Sequence, residues 1–275
     1  MKALKIGFAL ICLLIIQGCF KKNAEGRRAV SFMPKALIQS QSFQAYADQK
    51  KKIPISKDAK KTQITQRVGN RLIAVAKRVY PAHCKGFKWE VQLFDKPKTV
   101  NAYCMPGGKI GIYTGILPVC ENEAALAAVM GHEVAHALLK HGNERVSQQM
   151  LFAGGMLAAQ IGVGANSKMS EDKKKMLLAA CGLGAQVGVL LPFSRKHESE
   201  ADQMGLRLMA EAGYEPGEAA NLWRRMKAKS GGKQPPELLS THPSNQRRID
   251  NLETLKIGVM PVYNKSPKYG LGDKL

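Results

Sequence analysis

Two histidines four residues apart, His132 and His136, sit in a run that is otherwise almost wholly apolar: Ala125, Leu126 and Val129 precede them, and Leu138 and Leu139 follow. On a helix, side chains four apart lie on one face, a turn above each other. The pair therefore points into whatever that helix is buried against. Desolvating two imidazoles is unfavourable unless a partner takes their lone pairs, and a metal ion held by both does so. Glu133, beside the first histidine, is placed to take a proton from a metal-bound water. The bland alternative is a helix with one packed and one solvent-facing histidine, and the apolar flanks count against it.

Two histidines leave zinc in need of at least one more protein ligand if a position is to stay open for water. A third histidine six residues after the second would supply it, but Gly142 occupies that place, His141 is one residue out, and Leu139 stands where that pattern needs glycine. An acidic ligand from a second helix is the remaining route. Glu198 and Asp202, in Ser194-Arg195-Lys196-His197-Glu198-Ser199-Glu200-Ala201-Asp202, are four apart and share a helix face. Stacked acids repel unless something positive lies near them. Glu198 as ligand, with Asp202 accepting a bond from the far nitrogen of a ligand imidazole, would resolve the conflict. Glu200 projects elsewhere and reads as solvent-facing. His197 is the competing ligand, and as the immediate neighbour of Glu198 it is expected to point away from that face. Ala201, Met204, Gly205, Leu208 and Met209 make the segment a packable helix.

The rest of the pattern frames these two helices. Ile64, Val68, Leu72, Val75, Ala76 and Val79 recur at helical spacing until Pro81 stops them. Phe87 to Phe94 alternates as a strand. Met105-Pro106-Gly107-Gly108 turns a hairpin into Lys109 to Thr114, with Ile110 and Ile112 facing the core. An open edge on that hairpin could pair with an extended peptide. The histidine helix is expected to run from Glu121 or Asn122 to about Met150. Residues 150 to 193 hold two uncharged, glycine- and alanine-rich stretches around a charged loop, and read as a helical hairpin, buried or touching a membrane. A helix from Pro216 to about Ala228 and another from Asn245 to Leu255 flank a loop that carries His242. The fold class is mainly α with a small β-sheet, an α+β domain over residues 62–260, followed by an extended tail over 261–275.

The first residues read as an export signal. Lys2 and Lys5 precede an apolar run from Ile6 to Ile16, too short for a comfortable membrane span, and Gln17-Gly18-Cys19 closes it. This resembles a bacterial lipoprotein box, which implies cleavage after residue 18, acylation of Cys19 and anchoring in the membrane by more than one chain. Phe20, rather than aspartate, after the cysteine resembles outer-membrane sorting. Residues 19–61 are polar and basic and read as a tether with one short helix. Export also permits disulfides: Cys84, Cys104, Cys120 and Cys181 allow three pairings, with Cys84–Cys104 slightly preferred.

Composition limits the partners. In 275 residues, 45% are hydrophobic and 23% charged, ordinary values for one substantial core, but the net charge is +21. The basic residues are spread along the chain with no zinc-finger or aromatic-interleaved pattern, which counts against nucleic acid. An anionic membrane or polyanionic envelope material fits better.

Together, Asn101-Ala102 leading to Pro106-Gly107-Gly108, His132-Glu133-Val134-Ala135-His136, Glu198-Ser199-Glu200-Ala201-Asp202 and Thr241-His242-Pro243-Ser244 resemble the M48 zinc metallopeptidases over about residues 62 to 255. The resemblance implies a gluzincin-type fold with an active-site helix and an edge-strand hairpin. It implies zinc held by His132, His136 and Glu198, with Glu133 as general base and Asp202 as support to a ligand. His242 matches a histidine that approaches zinc and can fill its open position in a resting form. Arg248 matches an arginine that stabilises the oxyanion or the surrounding network. The implied partners are misfolded or stalled envelope proteins as substrates, with a second copy or the outer-membrane assembly machinery also open. The chain lacks the many long hydrophobic spans of prenyl-protein proteases, which argues against prenylated substrates. A non-proteolytic chaperone or assembly factor, and a membrane- or polyanion-binding lipoprotein, are the competing functions; the first predicts that Glu133 is dispensable, and the second leaves Glu133 and Glu198 without a role.

Overall fold

A computed structural model describes residues 20–164, 170–172, 191–230, 238, 242, 246–271 and 274–275. The segment expected to be an export signal, Cys19, Cys181 and most of the second uncharged stretch lie outside the described residues. In chain order the first elements are strands β1 (Phe20–Lys22) and β2 (Arg28–Val30), then helices α1 (Lys35–Lys52), α2 (Ala59–Val79) and α3 (Pro81–Cys84). Strands β3 (Glu90–Phe94), β4 (Ala102–Met105) and β5 (Lys109–Tyr113) follow, then α4 (Leu117–Cys120) and α5 (Glu123–Leu139). The remaining helices are α6 (His141–Gly164), α7 (Leu191–Glu211), α8 (Gly217–Ser230) and α9 (Gln246–Lys265). The chain divides into two compact units, one of residues 1–35 with 141–197 and one of residues 36–140 with 198–275.

In the smaller unit β1 and β2 form an antiparallel ladder, Phe20 opposite Val30. Asn23 shapes their turn: its side-chain oxygen accepts the N–H groups of Glu25 and Arg27, both at 3.0 Å. Arg27 then grips Glu144 of α6 with both guanidinium ends, at 2.7 and 3.0 Å. Asn143 donates to the Met33 carbonyl at 3.0 Å, and Ser147 accepts from the Phe32 N–H at 3.3 Å. The segment expected to be a tether with one short helix is thus a hairpin hydrogen-bonded to α6, followed by an 18-residue helix.

The larger unit is built around α5, in which every residue except His136 is buried. Asn122 starts it, its side-chain oxygen accepting the Ala125 N–H at 2.8 Å. Lys140 ends it in the left-handed conformation (φ 62°), its N–H bonded back to Ala137 and His136 carbonyls. The helix therefore stops eleven residues short of the Met150 expected from the sequence, and α6 is separate. Helix α2, capped by Asp58, packs against α5 and β3 along a stripe that includes Val68, Leu72 and Ala76, all fully buried. At their crossing, a Cβ on Gly69 would sit 2.7 Å from Met130 and Val91.

The sheet runs β3-β5-β4, with β3 parallel and β4 antiparallel to β5. The Pro-Gly-Gly hairpin forms as expected, and Ile110 and Ile112 are fully buried. The opposite face carries Phe94, Tyr103 and Tyr113, which pack with Tyr46 of α1. Gln49 joins them, hydrogen-bonding to the hydroxyls of both Tyr103 and Tyr113. The outer edge of β3 is covered by residues 54–56: Ser56 donates to Leu93, and Asp95 to Pro54. Among the described residues β4 pairs with no strand but β5.

Two further expectations change. Cys84, Cys104 and Cys120 are thiols, so the Cys84–Cys104 bond is not formed. The pleat turns Cys104 inward, and burial raises its thiol well above the ordinary value, with Glu133 and Cys84 adding to the effect. Helix α9 runs ten residues past Leu255, through Pro261. Proline at that position removes the bond to the Ile257 carbonyl, and Ile257 is 71% exposed, so water can take the vacated acceptor.

Candidate metal centre

The site forms where α5 and α7 cross, and two glycines set that crossing. A Cβ on Gly205 would meet the His132 nitrogen at 2.8 Å and its Cα at 2.9 Å; one on Gly131 would meet the Gly205 carbonyl oxygen at 2.9 Å. The helix backbones touch there because neither residue carries a side chain. Glu198 and Asp202, about two turns and one turn before Gly205, are thereby brought onto the histidine face of α5. The α9 helix delivers Arg248, and His242 arrives on the segment before it.

One nitrogen or oxygen from each of His132, His136, Glu198 and His242 lies within 4.8 Å of all the others. The Nε2 atoms of His132 and His136 are 3.0 Å apart, and His132 Nε2 is 3.2 Å from His242 Nδ1. The Glu198 carboxylate lies 3.3 Å from each of the first two imidazoles and 2.9 Å from His242 Nδ1. Tetrahedral zinc with bonds of about 2.0–2.1 Å needs its ligand atoms about 3.3 Å apart, so the donor set fits that ion in type and spacing. Its orientation fits too. His132 Nδ1 faces Asp202 at 3.0 Å, which turns Nε2 into the cluster.

The electrostatics follow from burial and these partners. Burial works against charge on Glu198, yet the three imidazoles facing it outweigh that and hold it ionised far below the usual carboxylate range. Burial and Arg248 push His132 down, but Asp202 and Glu198 prevail and raise it to about 9. Burial keeps His136 neutral, well below the ordinary imidazole value. Asp202 is lowered despite its burial, chiefly by Arg248 and then by His132.

Glu133 is buried, and its Oε1 has no hydrogen-bond partner; the nearest polar atom of the cluster is His242 Nε2 at 3.4 Å. A buried carboxylate oxygen left unsatisfied beside a metal-ligand set is unfavourable for folding and useful for moving a proton. Arg248 is buried as well. Its Nε and Nη2 donate to the two Asp202 oxygens at 2.8 and 2.6 Å, and Nη1 is 3.0 Å from Glu198 Oε2. Nη2 also lies 3.2 Å from His132 Nδ1. His197 is not among the convergent donors: its ring stacks on His141 at 4.2 Å and faces Glu144 at 3.2 Å, which is lowered to about 2. Glu200 is half-buried rather than solvent-facing. Sequence reasoning missed the Gly131–Gly205 contact and Trp223, whose ring lies 3.7 Å from the Arg248 guanidinium carbon. The only sequence signal for Trp223 is its place in the apolar stripe Ala219, Leu222, Trp223 and Met226 of α8.

The description of peptidase family M48 matches residues 59–256, which hold all of these groups. The chain belongs to peptidase family M48. The M48 metallopeptidases are zinc-dependent, in agreement with the donor set. Among its relatives, the mitochondrial metalloendopeptidase OMA1 of Schizosaccharomyces pombe is 38% identical over 194 residues, covering 70% of this chain and 52% of that protein. OMA1 of Saccharomyces cerevisiae is 33% identical over 197 residues, covering 68% and 53%. The beta-barrel assembly-enhancing protease of Yersinia pestis is 27% identical over 200 residues, covering 72% and 39%. The chain therefore spans about half the length of these two yeast OMA1 proteins, and less of the bacterial one.

Proposed function

We propose that the chain is a zinc-dependent endopeptidase of the bacterial envelope, lipid-anchored through Cys19 on the periplasmic face of the outer membrane. The observation that carries the catalytic part is the unpartnered, buried Glu133 oxygen beside four convergent metal donors. His132, His136 and Glu198 would hold the zinc, which when bound polarises a water and the scissile carbonyl. Glu133 takes the proton from that water and returns it to the leaving amine. Asp202 fixes the His132 tautomer, and Arg248 holds Asp202 and Glu198 in place.

An extended substrate would pair along the outer edge of β4, which lies against the histidine helix. His242 stands at the fourth donor position and would have to leave it for the reaction. Its segment is tied to the same edge: His242 N–H bonds the Leu238 carbonyl at 2.8 Å, and Leu238 N–H bonds the Val100 carbonyl, two residues before β4, at 3.1 Å. A peptide entering along β4 would compete with that tie, so substrate arrival and release of His242 would be coupled.

Support for an envelope role comes from the export signal, the lipoprotein box and the likeness to a protease named for β-barrel assembly. The substrates would then be misfolded or stalled envelope proteins. The test is cleavage of an unfolded outer-membrane barrel protein by the full-length chain and by Glu133→Gln. The variant is expected to lose about 10²–10⁴-fold in rate while keeping its zinc. Equal cleavage by both would overturn the assignment. His242→Ala is expected to raise the rate, and an unchanged rate would sink the gating role.

A further inference from the structure

Resting on that reading of the site, we propose that Trp223 is a positioning residue of the metal centre, setting zinc affinity through the plane of Arg248. Trp223 lies on α8, is 5% exposed, and presents its ring to the guanidinium with 3.7 Å between Arg248 Cζ and the ring centroid. Its other neighbour in the site is His132, ring to ring at 6.3 Å and nearly perpendicular. A guanidinium laid on an aromatic face keeps its in-plane N–H groups directed sideways, away from the ring. Here Nε and Nη2 donate to the two Asp202 oxygens, Nη2 also lies 3.2 Å from His132 Nδ1, and Nη1 forms an ion pair with Glu198 at 3.0 Å. The indole face thus fixes the one plane in which a single arginine reaches the acid that orients His132 and the acid that belongs to the ligand set.

The surroundings explain why an aromatic side chain is needed. A cavity of about 10 Å³ lies beside Trp223, bounded also by His132, Asp202 and Gly205, with room for about one water. A smaller residue at 223 would enlarge it, admit water to Arg248 and Asp202, and let the guanidinium tilt. His132 would lose its fixed orientation, and a ligand that must be re-ordered binds metal more weakly. An aliphatic residue of similar bulk would fill space but offer the charge no ring face.

The experiment compares Trp223→Phe, Trp223→Leu, Arg248→Met and the Leu/Met double variant in the full chain. The readout is the zinc Kd, from competition with a chromophoric chelator, beside melting temperature and kcat and KM on an unfolded protein substrate. Trp223→Leu is expected to weaken zinc binding about 10–100-fold, whereas Trp223→Phe stays within about threefold of wild type. In the Arg248→Met background, Trp223→Leu should add less than about twofold, because the platform then has nothing to hold. The proposal is overturned if Trp223→Leu keeps the wild-type Kd, or if it weakens zinc as much without Arg248 as with it. A fall in melting temperature with Kd unchanged overturns it too, because Trp223 would then only pack. Trp223→Phe that falls with Trp223→Leu shows the indole's size, not its face, to matter, and equally overturns it. Wild-type protein that takes up no zinc would remove the metallopeptidase reading itself, a result visible before any variant is compared.

Discussion

Helix α5 buries a carboxylate at its first residue and, about three turns later, the His132 imidazole with a second carboxylate, His136 half-buried beside them. At the first end Glu123, 1% exposed, is held by Arg67, lies 3.8 Å from Arg71, and accepts from the Tyr214 hydroxyl at 3.4 Å. Arg71 also donates to Tyr214 at 2.9 Å, which closes the ring of contacts, and the helix dipole favours an acid there. Two cations answer one acid, with their outer atoms in water. At the other end, among the described residues, Arg248 is the one arginine beside Glu198 and Asp202, and the nitrogen atoms of three imidazoles face one another at about hydrogen-bond distance. Protein groups complete the first cluster; the second presents a donor set that can hold a divalent ion. Burial of charge by itself is thus no sign of function. What distinguishes the metal end is that four side-chain donors converge on one point.

The contrast can be broken from either side. Glu198→Gln should have the largest effect, weakening zinc binding by at least about 100-fold, beyond what loss of an outer partner costs; chelator competition reads it, and an unchanged Kd would remove Glu198 from the ligand set. Gly205→Ala should follow, although it touches no ligand atom. Its methyl would press on the His132 backbone, so α7 must move away, with about 1–3 kcal/mol of stability lost and zinc affinity down about tenfold or more. Thermal melts with and without zinc measure both, and a variant that melts and binds like wild type would show that the crossing is not set there. Glu123→Gln should cost about 1–3 kcal/mol in denaturant unfolding, because Arg67 and Arg71 lose their acid but keep access to water. Its zinc Kd should not change. If it does, the two ends of α5 are not independent.

The same distinction explains what could be read from the sequence. The convergence of these side chains was legible because their spacing repeats with the helix, whatever they pack against: His132 with His136, and Glu198 with Asp202. The helix α2 and the hairpin were legible from apolar periodicity and the Pro-Gly-Gly turn. Helix α1 was legible only as one short helix and not in its full length, since the stripe it lays on the sheet is Gln39, Phe43, Tyr46 and Gln49, half of it polar, and Gln49 is there to satisfy two tyrosine hydroxyls. No apolar pattern marks such a face. The break after Leu139 was hidden because Lys140 adopts a left-handed conformation usually left to glycine or asparagine. Gly131 and Gly205 were visible as letters, but a close approach of two backbones is a property of the pair, and it appears only when the helices are brought together.

The mildest test is titration, and it separates the two clusters by sign. Without metal, His132 holds a proton up to about pH 9, because Asp202 and Glu198 outweigh burial and Arg248. That proton stabilises the metal-free fold fully below the ordinary imidazole value of about 6.5, and the contribution is lost as pH rises through about 9. Zinc must displace the same proton, so its affinity moves the other way, rising about tenfold per pH unit through neutrality and levelling off near 9. His136, kept neutral by burial, adds no second proton to the exchange. Between about pH 7 and 9 the metal-free protein should therefore lose stability while the zinc-bound form gains on it, with about one proton released per zinc taken up. Potentiometric release together with Kd measured across that range reads the slope. A slope of two would mean that a second proton is displaced, and a slope of zero that Asp202 does not hold the His132 proton. Glu123→Gln, which alters only the completed cluster, should leave the slope at one.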